Sequence, residues 1–68
     1  MNPERLHQLP LEVRRELLSV LQSPSRVRAD VIRQFHERHL DLAEVLMDLE
    51  EDDMLRADVI EMLERLTR

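Results

Sequence analysis

His36 and His39 carry the clearest chemical potential in this 68-residue chain, standing three positions apart in the run His36-Glu37-Arg38-His39, with Asp41 just beyond. Two imidazoles on one helix face plus a carboxylate could hold zinc or another metal. The order is HERH, however, and not the HExxH of a helical zinc site, in which the two His stand a full turn apart. His39 also falls where its helix is expected to end, and an imidazole there interacts with the negative end of the helix dipole without any metal. We expect no metal. His7 is isolated near the start of the chain.

The densest charge run is Asp48, Glu50, Glu51, Asp52 and Asp53, whose spacing resembles the opening of a calcium loop. Counted from Asp48, the sixth position is Asp53, where that loop needs Gly, and the twelfth is Val59, where it needs a bidentate Glu. The match fails. A solvated helix end is the simpler expectation, and an acidic docking patch for a basic partner the sharper one. Enzyme chemistry finds little support. The chain has no Cys nucleophile, and Ser19, Ser23 and Ser25 lack a matching His–acid arrangement. A pair of carboxylates could be picked from any fifteen, so their presence decides nothing. We expect a non-enzyme without a cofactor.

What positions these residues follows from composition. Hydrophobic residues are 43% and charged residues 37% of the chain, a globular balance in one small domain. Gly, Cys, Lys, Trp and Tyr are absent, and Phe35 is the only aromatic. Lack of Gly disfavours tight two-residue hairpins and phosphate-cradling loops. Lack of Cys excludes disulfides and thiolate metal sites, and nothing points to an oxidising compartment. No apolar run reaches the roughly 18 to 20 residues that span a bilayer, and no signal-peptide pattern opens the sequence. The expectation is a cytoplasmic protein without membrane contact.

The string RADVI occurs at Arg28–Ile32 and again at Arg56–Ile60, 28 residues on. The same offset pairs Glu16 with Glu44, Leu18 with Leu46 and Leu21 with Leu49. One long coiled coil would show a four-heptad offset too, but Pro24 would break it. Each unit therefore reads as two helices, giving an all-α fold of about four helices in two stacked αα-hairpins, a mini-solenoid or small helical bundle. The expected divisions are a head at 1–9, unit one at 10–38 and unit two at 39–68.

In unit one, Val13, Leu17, Val20 and Leu21 form the first apolar stripe and Val27, Val31, Ile32 and Phe35 the second. In unit two the stripes are Leu42, Val45, Leu46 and Leu49, then Leu55, Val59, Ile60, Leu63 and Leu66. Pro10 is expected in a first helical turn, and Ser23-Pro24 or Ser25 is expected to cap the second helix. Asp41 with Glu44 resembles a capping box, and Asp52 or Asp53 is placed to cap the last helix. In the head, Asn2-Pro3-Glu4 reads as a cap before one extra helical turn over 4–8.

The segment ELLSVLQSPSRVRADVIRQF, Glu16–Phe35, resembles a HEAT-type helical repeat of the short phycobilisome-lyase kind. In that family an outer helix ends in a leucine pair, a polar turn follows, and the inner helix opens with Val-Arg. Val27-Arg28 and Leu55-Arg56 match that element, and Val31 and Val59 stand where the family usually has Ala. The resemblance covers roughly residues 12–66. It implies protein–protein binding or scaffolding rather than catalysis, with Arg28 and Arg56 near the turns, bonding an acid or carbonyl of the neighbouring unit.

A core this small rarely supplies more than about 3–5 kcal/mol without staples, and two repeats leave apolar faces open. Self-association is the natural remedy, most simply as a homodimer. Its candidate surface is the apolar residues outside the stripes: Leu11, Leu18, Leu40, Met47, Met54 and Met62. We therefore expect a protein–protein interaction module, an adaptor or regulator, whose carriers are Leu18, Met47, Met54, Met62 and the acids Asp48, Glu50, Glu51, Asp52 and Asp53.

Charge is lopsided. Residues 1–39 carry +2 and residues 40–68 carry −7, within a net −5 that disfavours nucleic acid as a partner. Two alternatives follow from that asymmetry. Arg14, Arg15, Arg26, Arg28 and Arg33 could form a DNA-facing surface of a transcriptional regulator, or the acidic half could mimic nucleic acid and block a basic partner.

Overall fold

Prolines and acids decide where the helices begin. The computed structural model describes residues 4–68, arranged as α1 (Glu4–His7), α2 (Leu11–Leu21), α3 (Ser25–Arg38), α4 (Ala43–Glu51) and α5 (Asp53–Leu66), with a 3-10 turn at Leu40–Leu42 before α4. No strand occurs among the described residues. Pro10 and Pro24 both take extended backbone angles one residue before a helix, with φ of −55°. Neither has an N–H to leave unpaired there. Their carbonyls accept from the Arg14 and Val27 N–H groups, each at 3.0 Å. Pro10 thus precedes the first turn instead of lying within it.

Two expected caps are absent and one is present. Ser25 is the first residue of α3, which has no side-chain cap. Ser23 turns back instead, its hydroxyl donating to the Ser19 carbonyl at 3.1 Å and closing the end of α2. The Asp41–Glu44 capping box does not form, because the chain has already entered the 3-10 turn and α4 begins at Ala43 without a side-chain cap. Leu42 is buried within that turn, and tucking it into the core displaces Asp41 from the capping position. Asp52 does cap α5: its Oδ1 accepts from the Leu55 N–H at 3.0 Å. The Asn2–Pro3 cap expected for the head lies outside the described residues.

The 28-residue offset holds for one pair of helices and not for the other, since α2 shifted by it would span 39–49 whereas α4 runs Ala43–Glu51. Shifting α3 by that interval gives the bounds of α5, so both helices are 14 residues long and begin just after a residue, Pro24 or Asp52, that ends the preceding turn. Each long helix packs on its sequence neighbour, and α5 returns against α2, so the four close around one core. The radius of gyration, 10.8 Å, matches the value of about 11 Å expected for a compact chain of this length.

That core contains Leu17, Val20 and Leu21 from α2, Ile32 and Phe35 from α3, Leu42, Val45, Leu46 and Leu49 around α4, and Val59 and Leu63 from α5. The stripe at Leu42–Leu49 buries whole, as its spacing predicts. The α3 stripe does not: Val27 is exposed and Val31 only half-buried. Equivalent positions also differ, since Ile32 is buried and Ile60 half-buried, while Val59 is buried and Val31 half-buried. The two helices present different flanks to the core although both pack against α2 and α4.

The head is part of this core. Leu6 has no exposed surface, and Leu9 packs against the buried cluster. Arg5 Nη2 donates to the Asp41 carbonyl at 3.0 Å, and His7 Nε2 lies 3.2 Å from Met62 Sδ. The short α1 therefore ties the start of the chain to both the 3-10 turn and α5.

Candidate interaction surface

One of the histidines has a structural place. His39 is the C-cap of α3, and its N–H lies 3.1 Å from both the Phe35 and His36 carbonyls. Its ring stacks on Phe35 at 4.4 Å between centroids, and its Nε2 lies 3.8 Å from Glu16 Oε2. Glu16 also accepts from Arg38, so one carboxylate on α2 anchors the end of α3. Asp41 stands exposed in the 3-10 turn, its carbonyl engaged by Arg5. Among the described residues, no group of three or more His, Asp or Glu is placed to hold a metal ion.

Arg28 and Arg56 do the same job in their two helical pairs. Arg28 Nη2 donates to the Ser23 carbonyl at 3.1 Å, and Arg56 Nη1 donates to the Leu49 carbonyl at 3.4 Å. Arg56 thereby reaches a carbonyl in the last turn of α4, where carbonyls lack intrahelical partners, and Arg28 reaches the turn just beyond α2. Both contacts lie within one unit and not across to the neighbouring one. Arg56 adds a 2.7 Å bond to Asp53. The Nε atoms of Arg14 and Arg28 are buried without a partner, so these side chains are packed inward. Arg33 faces Asp30 at 3.6 Å, three residues away. Arg15 and Arg26 are exposed. The five arginines considered for nucleic acid are therefore divided between packed and solvent-facing roles.

The acidic run is likewise divided. Asp52 caps α5 and Asp53 pairs with Arg56, while Asp48 is half-buried. Asp48, Glu51 and Asp52 surround a shallow notch floored by Leu55. Like charges at this spacing repel, and the dipole at the start of α5 offsets part of that cost.

Of the apolar candidates, Leu18 and Met62 are half-buried and pack against the core, whereas Met47 and Met54 are 59% and 80% exposed. Met47 stands on the lip of a groove between α3 and α4, about 210 Å³ in volume. Ala29, Ile32, Ala43 and Leu46 line its apolar part, and Arg33 and His36 on one side oppose Glu50 on the other. Ala29 on α3 and Ala43 on α4 are the small residues of its lining. In a chain without Gly these alanines were the available signal for a cleft, and stripe counting passes over them because it looks only for bulk. The groove is thus an apolar floor with a cationic bank and an anionic bank.

Comparison with protein families, with curated proteins and with solved structures gives no match to this chain.

Proposed function

We propose that the chain is a small non-catalytic protein–protein interaction module, working as a homo-oligomer and most simply as a dimer, in an adaptor or regulatory role. The observation that carries this reading is the α3–α4 groove, in which an exposed, pliable Met47 stands beside an apolar floor between charged banks. Methionine suits such a surface because its unbranched thioether adapts to whatever packs on it. Further exposed apolar side chains, Leu11, Leu40 and Met54, leave additional surface whose burial would be favourable.

Mutual packing of α2–α3–α4–α5 favours a small bundle over an open two-unit solenoid, since α5 meets α2. In the HEAT-like reading the two helical pairs are the repeat units, closed on each other instead of extended. A cytoplasmic setting fits the absence of Cys and of any described helix long and apolar enough to cross a membrane. The test is size-exclusion chromatography with light scattering. A mass twice the 8.2 kDa of one chain supports the reading, and a stable 8.2 kDa species up to about 100 μM would reject self-association as the working state.

A further inference from the structure

We infer that the partner of the α3–α4 groove is the same groove of a second copy, joined about a two-fold axis running along its length. This rests on the reading of the chain as a self-associating module. The argument is one of charge. On its α3 side the groove is lined by Arg33 and His36 and by no acid, while Arg28 and Arg38 are engaged elsewhere, by the Ser23 carbonyl and by Glu16. On its α4 side the groove is lined by Glu50 and by no base.

A face-to-face pair has two simple choices of axis. With the axis across the groove, α3 lies over α3 and α4 over α4, opposing like charges on both banks. With the axis along the groove, α3 of each copy lies over α4 of the other, and every bank meets its complement. The second arrangement is self-complementary in the way a two-fold interface requires, because the same contact occurs twice.

The local chemistry agrees. Arg33 and Glu50 border the same groove from opposite helices, so the axis brings Arg33 of one copy to Glu50 of the other. Among the described residues, Arg33 is held within its own chain by an exposed 3.6 Å contact with Asp30, which leaves it able to turn outward. Met47 of each copy comes over the α3 side of the other groove, whose apolar lining is Ala29 and Ile32. A standard interface takes about 800 Å² from each partner, roughly a sixth of this chain's 4661 Å². The groove and its two helix flanks are the part of the surface where apolar floor and opposed charge coincide.

Charge reversal tests the pairing. R33E sets two carboxylates against each other at both symmetric contacts of the dimer, and E50R sets two guanidinium groups against each other there. Each variant alone is expected to weaken the dimer by about tenfold or more in light scattering or sedimentation, with helical content unchanged by circular dichroism. Mixing the two restores association as a mixed pair, because one chain then presents acids at both positions and the other presents arginines at both. The double variant R33E/E50R also recovers it, with every contact reversed in sign. If wild type dimerises but both single variants dimerise equally well, another surface is used and this inference fails while the self-association reading survives. If wild type is monomeric throughout, both fail.

Discussion

Leu6→Ala tests whether the N-terminal turn is part of the fold or only adjoins it. Leu6 has no exposed surface and belongs to the same buried cluster as Leu17, Phe35 and Leu63, although it sits on a helix of only four residues. Truncating a fully buried Leu to Ala costs about 2–5 kcal/mol, from lost transfer energy plus the cavity left behind. A domain of 68 residues has about 3–10 kcal/mol in total, at about 0.05–0.15 kcal/mol per residue. The substitution should therefore remove a large fraction of the stability. The assay is urea unfolding followed by far-ultraviolet circular dichroism, since the chain has no Trp or Tyr to report by fluorescence. With an m-value of about 1 kcal/mol per molar urea, the midpoint should fall by about 2 M or more. A fall below about 0.5 M would refute the docking of α1 onto the bundle.

Other substitutions test separate parts of the account. Asp52→Ala removes the side-chain cap of α5 and should cost about 1 kcal/mol in the same urea assay, while Asp52→Asn keeps most of it. Arg56→Met should cost about 1–2 kcal/mol, because losing a partly buried guanidinium leaves a helix-end carbonyl unpaired. Arg28→Met should cost less, since it also removes a buried Nε that has no partner. Ala29→Phe should block self-association by filling the groove, with the monomer's thermal midpoint moving only a few degrees. Equal dimerisation of that variant in sedimentation would speak against the groove.

Helix content, the break at Pro24, the acidic cap of α5 and the whole Leu42–Leu49 stripe were legible because each rests on local chemistry: backbone geometry, an acceptor near free N–H groups, or strict helical spacing. The pairing of α2 with α5 was not legible. It is a contact between the two ends of the helical set, and periodicity within a helix says nothing about which neighbour its stripe meets. The capping box at Asp41 failed for the same reason, as burial of Leu42 outweighed a local cap worth about 1 kcal/mol. Leu18 and Met62 lay outside the counted stripes, yet the closed packing gives them partial cover. Of the site, Met47 was legible as an apolar residue out of phase with the core, but the groove beside it depends on how α3 and α4 pack against each other.

The proposed protein-binding role of the groove is tested most directly by nuclear magnetic resonance of methyl-labelled methionine over a dilution series. Met47 borders the groove, Met54 is exposed away from it and Met62 packs on the core, so the side chains report separate places. The Met47 methyl signal should move with concentration and track the change in mass, while Met54 stays fixed. A Met47 signal that holds still across the series, whether or not the mass changes, would contradict a groove that works by receiving another copy of the chain.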